Sequence, residues 1–380
     1  MTFACEIHQA YLYDRGGVTV LGYLGPISRV RWERMRDDVS HASVNIATRS
    51  ADCDKALGLA ATGRTELVIF RGDERVWEGP ITHITYKGGS VEIQARDVVH
   101  YLYRTIMKGE YDNRYPNNVT AIRRLDRIIR AELARMEAQV PPINVLPYLT
   151  LHETATDAGT SSHTLAYEDT VFGHLDKMAA RGGLDYCTVG RAIHLFDVDT
   201  ALGQTAMLTA EDFIGDVIIT EYGMELATFA AVTDGNGRAG VSGAADAYYG
   251  LVEILDMAYD EDVMARGATP AEGDGGQAPG VPEPVSIADL ASQAQRNLAG
   301  RNPAPIVVRV PDNSTLNPQG AVAIVDLVPG VWLPLQAELP GRSLSQIQKL
   351  DKMTVEETAD GETIQVTLHP APLGEIDVSG

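Results

Sequence analysis

The sequence predicts a mainly β protein of the α+β class, with two β regions and a helical insertion between them. Three observations carry this reading. From Val39 to Asp97 the side chains alternate, so that Ala42, Val44 and Ile46 share one face and Ser43, Asn45 and Ala47 the other. Such a period of two, broken by Gly/Asp turns, is the sequence form of antiparallel hairpins. Past residue 106 the spacing becomes helical. Near the far end, Met353 to Thr358 turns through Asp360-Gly361 into Thr363 to Leu368, the clearest hairpin of the chain.

The first β region is placed at 1–105. Leu67 to Phe70 leads into a turn at Gly72-Asp73-Glu74. Val76 to Tyr86 follows, then a turn at Gly88-Gly89, then Val91 to Ala95. Trp32 and Trp77 are its large apolar anchors. Val98 to Arg104 reads as a short exit strand or turn.

The insertion is placed at 106–205. After Asn117-Asn118, the residues Ile122, Leu125, Ile129, Leu133 and Met136 recur at helical spacing, and Pro141-Pro142 stops the run. Arg123, Arg124, Arg127, Arg130 and Arg135 fall on its outer side. Asp126 with Arg130 and Glu132 with Arg135 are at pairing distance, so a solvated face is the plain reading; docking onto an acidic neighbour is the rival. Residues 143–167 read as loop. A second helix is expected from Asp169, as N-cap, to Arg181, stopped by Gly182-Gly183. A hairpin follows, Leu184 to Val189 and Ala192 to Phe196, turning at Gly190-Arg191.

The second β region is placed at 206–380. Val217 to Thr220, Thr228 to Thr233 and Leu251 to Leu255 read as strands, with the Gly-rich Asp234 to Gly243 as a joining loop. Residues 260–285 are acidic and then Gly/Pro-rich, the composition of a flexible loop or a docking segment. Ser286 opens a capped helix with Asp289 as capping-box acid. Ile287, Leu290, Ala294 and Leu298 share its inner side, and Gly300 ends it. Ile306 to Val310, Val322 to Val325 and Val331 to Gln336 are further strands, and the terminal hairpin covers 353–368.

Composition bounds the function. The chain has 380 residues, enough for two or three domains, and 44% are hydrophobic, enough for real cores. The net charge is −21. A surface so acidic repels phosphate backbones, which argues against sequence-specific nucleic-acid binding but not against DNA sliding past. Only six of the 31 basic residues are lysine, a coding bias without mechanistic meaning. Cys5, Cys53 and Cys187 are odd in number and form no CxxC, so they read as small buried hydrophobes rather than a disulfide framework or zinc knuckle. The start MTFACEIHQA lacks the basic and apolar parts of a signal peptide. No apolar run approaches the ~20 residues of a membrane span.

The motifs that promise chemistry fail on context. Gly235, Gly237 and Gly240 satisfy G-x-G-x-x-G, but no parallel βαβ pattern surrounds them. Ser242 narrowly misses a nucleophile elbow because Ala244 stands where glycine belongs. His152-Glu153 opens like H-E-x-x-H, but Thr156 replaces the second histidine. Arg71-Gly72-Asp73 sits at a hairpin tip, where Gly and Asp supply the bend. Adjacent acids such as Asp37-Asp38, Glu211-Asp212 and Glu356-Glu357 carry little information in so acidic a chain. No catalytic residue, cofactor or metal is expected. A barrel-like β region without chemistry points to an assembly part.

The order of parts resembles the tail-hub, or Tal-like minor tail, proteins of long-tailed siphovirus-type bacteriophages, which are related to baseplate hub proteins. The pattern runs Trp32-Glu33-Arg34, Ser43-Val44-Asn45-Ile46, Glu66-Leu67-Val68-Ile69-Phe70, Val76-Trp77-Glu78-Gly79-Pro80-Ile81 and Ala95-Arg96-Asp97. Gly183-Leu184-Asp185-Tyr186, Tyr249-Gly250, Arg296-Asn297-Leu298 and the terminal hairpin continue it. The resemblance implies two tail-tube-like antiparallel β-barrel domains around the inserted α+β domain. It implies a homotrimeric ring of pseudo-sixfold symmetry at the tail tip. Its partners would be the distal tail protein or tube ring, the tape-measure protein and receptor-binding proteins, with DNA passing through unbound. With the final hairpin lying close to Gly380, no cell-wall-cleaving extension is expected after it. Trp32, Trp77 and Trp332 are the candidate core or interface anchors. The rivals are a cell-wall hydrolase, a carbohydrate-binding tail protein and the hub of a contractile injection device.

Overall fold

Antiparallel strands dominate the computed structural model, as the alternation predicted. It describes residues 5, 7–47, 51–109, 120–138, 148–152, 167, 169–180, 184–197, 200–235, 237–257, 287–298, 301–302, 306–311, 314–317, 320 and 322–370. Contacts divide the chain into one unit of 1–159, 164–218 and 309–380 and a second of 160–163 and 219–308.

The first unit opens with β1 (His8–Asp14), β2 (Val20–Tyr23), β3 (Ile27–Met35), β4 (His41–Ile46), α1 (Ala51–Leu57), β5 (Thr65–Arg71), β6 (Glu74–Lys87) and β7 (Ser90–Arg96). Then come α2 (His100–Tyr103), α3 (Ala121–Glu137), β8 (Tyr148–His152), α4 (Val171–Ala180), β9 (Asp185–Val189), β10 (Ala192–Phe196), β11 (Leu208–Thr209) and β12 (Phe213–Ile214). The second unit spans β13 (Ile218–Glu221), β14 (Phe229–Thr233), β15 (Ala239–Gly243), β16 (Glu253–Met257), α5 (Ile287–Leu298) and β17 (Ile306–Arg309). The chain closes in the first unit with β18 (Thr315–Leu316), β19 (Trp332–Leu339), β20 (Arg342–Thr358) and β21 (Gly361–Pro370).

One sheet organises the first unit, in the order β12-β18-β21-β20-β3-β4-β7-β6-β5-β1-β2, with β19 bridging β20 and β11. The two β regions are therefore continuous: β20 lies antiparallel to β3, with Val355 opposite Trp32. The pairing path is open, and no closed barrel forms among the described residues. β6 serves two neighbours, β5 along its first half and β7 along its second, with a register shift between Ile81 and His83. Gly79 lets the chains approach there: a Cβ at this position would lie 1.9 Å from the Arg96 carbonyl oxygen.

The insertion packs α2, α3 and α4 against the β8-β10-β9 sheet. Leu102, Ile122, Ile129, Leu175, Tyr186 and Ile193 belong to one buried cluster. Thr120 caps α3 by accepting the Arg123 amide at 3.2 Å.

Several local expectations change. Val98 to Arg104, expected as a strand or turn, holds the short α2 between turn residues. The hydroxyl at the start of α4 is that of Thr170, which accepts the Gly173 amide at 3.0 Å; Asp169 pairs with Lys177 instead. Val322 to Val325, expected as a strand, runs into a 3-10 turn at Ile324–Asp326, because two buried apolar residues two positions apart, Val322 and Ile324, fit such a turn as well as a strand. Arg124 is buried, not solvated, although Arg130–Asp126 and Arg135–Glu132 pair as expected. Asn117-Asn118, Pro141-Pro142, Gly182-Gly183, the 260–285 segment, Ser286 and Gly300 lie outside the described residues.

In the second unit α5 covers one face of the β15-β14-β16 sheet through Ala230, Val232, Leu290 and Ala294. Ile287 stands exposed, off the expected inner side. The Gly-rich stretch contains β15 rather than a plain loop. Gly240 there permits helix contact, since a Cβ would meet the Ala291 amide at 2.1 Å.

Candidate functional site

The continuous sheet of the first unit has one apolar and one polar face. Val30 and Trp32 of β3, Ala42, Val44 and Ile46 of β4, and Met353 and Val355 of β20 are buried. The alternate residues face outward. Register aligns Glu356, Arg31, Ser43, Gln94 and His83 across β20, β3, β4, β7 and β6. His41 stands opposite Arg96 on the next rung. Arg31, Glu33, His41, Ser43, His83 and Arg96 line a shallow cavity of about 470 Å3.

Glu33 is the acid in this cavity, and it is neutralised. Burial pushes its carboxyl up, but His41 (3.0 Å) and Lys352 (2.7 Å) outweigh that and hold it below the ordinary range. Arg31 and Arg96 form no ion pair among the described residues. The face is polar and of mixed sign although the chain carries −21.

Three buried polar clamps fix this face in place. In the first, His8 on β1 meets the terminal hairpin. Its Nδ1 lies 2.8 Å from Glu357 Oε2, and Trp32 Nε1 donates to its Nε2 at 3.0 Å. Trp32 is only a donor, so Nε2 must be the lone-pair nitrogen and Nδ1 carries the proton. Burial holds the His8 pKa down despite the neighbouring carboxylates. Arg71 forks onto Glu362 with two bonds of 2.8 Å and ties β5 to the same hairpin.

In the second clamp, Asp185 on β9 accepts from Lys349 at 2.6 Å and from Arg36 at 2.7 Å. Arg36 also donates to Asp351 at 2.7 Å. Asp37, beside them, is raised to about 7 by burial and then by the Asp185 charge. The third clamp centres on Glu66, which is fully buried on β5. It accepts from Arg191 at 2.6 Å, from the Tyr101 hydroxyl at 2.6 Å and from the Gly16 amide at 3.0 Å. These clamps join the first β region, the insertion hairpin and the terminal hairpin.

The three tryptophans stand on three strands. Trp32 is fully buried with the Arg34 guanidinium 5.3 Å over its ring. Trp77, on β6, is buried opposite Ile69 of β5. Trp332 is half-buried on β19 opposite Lys349. The indole N–H groups of Trp77 and Trp332 have no hydrogen-bond partner among the described residues.

The chemical motifs are used structurally. Gly235, Gly237 and Gly240 belong to the β14–β15 hairpin and precede no helix. Ser242 lies within β15, and Arg71-Gly72-Asp73 forms the tip of the β5–β6 hairpin. His152 ends a strand, not a zincin helix. None of the three cysteines forms a disulfide among the described residues, and Cys53 and Cys187 are buried. Among the described residues no group of three or more His, Cys, Asp or Glu stands together as a metal site, and no helix is long and apolar enough to cross a membrane.

The clamps are what sequence reasoning missed. A signal existed in part: Glu66 and Glu78 occupy positions in the apolar runs of their strands, where a carboxylate needs a partner. Nothing local identified Arg191 as that partner.

No protein-family model matches the sequence, and no curated protein matches it. Solved structures do share the fold. The 43 kDa tail protein of prophage MuSo2 from Shewanella oneidensis superposes with a TM-score of 0.56 at 11% identity, over 96% of this chain and 98% of that one. A tail protein from Neisseria meningitidis MC58 gives 0.57 at 11% identity, over 96% of each chain. Prophage tail protein gp18 from Listeria monocytogenes EGD-e gives 0.54 at 8% identity, over 94% of each. The chain has the fold of these prophage tail proteins, as its resemblance to tail-hub proteins implied.

Proposed function

We propose that this chain is a structural virion protein, the hub at a phage tail tip, and that three copies close into a ring through which DNA leaves. The observation that carries this is the open sheet running unbroken from β21 through β20 and β3 to β6, with one buried and one polar face. An open sheet leaves edge strands whose unpaired N–H and C=O groups can pair with other chains. Copies of the same chain meet them most simply in a closed cyclic arrangement.

In this reading 1–105 and 206–380 supply two tube-like domains per chain, and 106–205 stands between them. Six such domains would match a hexameric ring of the distal tail protein or tube above. The tape-measure protein and the receptor-binding proteins would be the other neighbours. The polar face would form the bore wall. It offers DNA mixed charges rather than a basic strip, and three chains carry a total of 3 × −21, which keeps phosphate from sticking. The role is non-enzymatic, and Trp332, half-buried on β19, would anchor contacts between subunits.

Light scattering on the purified chain, followed by negative-stain imaging, tests the reading. A mass of three times 41.0 kDa with a threefold ring and central hole is expected. A chain that remains at 41.0 kDa even when mixed with tail-tip partners overturns it.

A further inference from the structure

We propose that His152 and His194 form a binding site for a divalent transition-metal cation of the zinc class. β8 and β10 are parallel neighbours, with Thr150 opposite His194 and Phe196 opposite His152. Both imidazoles therefore leave the same face of the sheet. The opposite face sends Leu149, Leu151, Ile193 and Leu195 into the apolar cluster. His152 Nε2 and His194 Nδ1 are 3.1 Å apart. They open onto a cavity of about 500 Å3 that Asp326 also lines.

The separation is the telling quantity. Zinc–imidazole bonds of about 2.0–2.1 Å, meeting at angles between square and tetrahedral, hold their nitrogens about 2.9–3.4 Å apart. The observed distance falls within that span. In this structure one N–H···N bond joins the rings, with planes 21° apart. To bind a cation the rings pivot, and the shared proton moves to the far nitrogen of its own ring. Each imidazole stays neutral and turns one lone pair onto the metal. Imidazole nitrogens suit zinc, copper and nickel, and water completes the shell. Such a cation would staple β8 to β10.

This chemistry was invisible in sequence, where H-E-x-x-H fails at Thr156 and His194 lies 42 positions away. The test titrates chelator-treated full-length chain with zinc chloride by calorimetry. One cation per chain is expected, with a rise in melting temperature on binding. His152→Gln and His194→Gln should each weaken binding by about tenfold or more. The absence of binding at about 100 µM zinc, or binding unchanged in both histidine variants, overturns the proposal. Should those variants fail to fold, diethyl pyrocarbonate labelling of the native chain decides: zinc must protect His152 and His194 selectively, and equal labelling with and without zinc overturns the site. Neither result bears on ring formation.

Discussion

Replacing Arg191 by methionine measures the Glu66 clamp directly. Methionine keeps much of the stem volume and removes the guanidinium. Glu66, with no exposed surface, then keeps only the Tyr101 hydroxyl and the Gly16 amide, while Glu78 retains Arg75. Stranding one member of a buried ion pair costs about 3–5 kcal/mol. The carboxylate has an escape, which is to take up a proton. At pH 7 that costs an ordinary glutamate about 3.7 kcal/mol, and at pH 5.5 about 1.6 kcal/mol. The expected loss is therefore about 3–4 kcal/mol at pH 7, shrinking by about half at pH 5.5. Urea unfolding followed by tryptophan fluorescence reads it, because Trp77 adjoins Glu78 in β6. Adding Glu66→Leu should recover most of the loss, since no charge is then left buried. A loss under about 1 kcal/mol at pH 7, or one that acid does not reduce, refutes the reasoning.

Other outcomes follow from the same geometry. Asp37 is held near 7, so its contribution to stability is present in acid and lost as pH rises from the unfolded value toward 7; Asp37→Asn, which suits the left-handed φ of 56°, should gain about 1–2 kcal/mol at pH 8 and nothing at pH 4 in paired urea curves. His8 titrates low when folded, so stability should fall as pH drops below the unfolded histidine value of about 6.5. Trp32→Phe removes the donor facing His8 Nε2, costs about 1–2 kcal/mol, and should raise the His8 pKa in an NMR titration; an unmoved pKa would count against the assigned tautomer. Gly79→Ala should cost about 3 kcal/mol, seen as a lowered melting temperature, because its methyl group meets the Arg96 carbonyl.

The strands from β4 to β7 and the β20–β21 hairpin were legible because one face of each is apolar and the other polar. β1 was not resolved as an element, because it turns His8 inward and leaves Tyr11 half-exposed, which blurs the usual alternation. α1 has seven residues, too few for a helical period to show. The first half of β20 was missed because Gln348 and Lys349 are buried there beside apolar neighbours. Their burial depends on Asp185 and other residues far away in the chain. The clamps stayed hidden for the same reason. Each pairs residues more than a hundred positions apart, and local pattern carries no record of which distant side chain arrives.

The His8–Glu357 bond spans 349 positions, and it gives synthesis of this chain a direction. A ribosome that has completed β1 to β7 has made nearly all of the first region's apolar core. It has not yet made the strand that covers β3 or the carboxylate that takes the proton of His8. Until β20 emerges, the β3 edge stands open and Trp32 leans on a histidine with no counterpart. Such long closures are slow and are made last. An unfinished chain therefore exposes a free strand edge to proteases and chaperones, and only the finished one withdraws it.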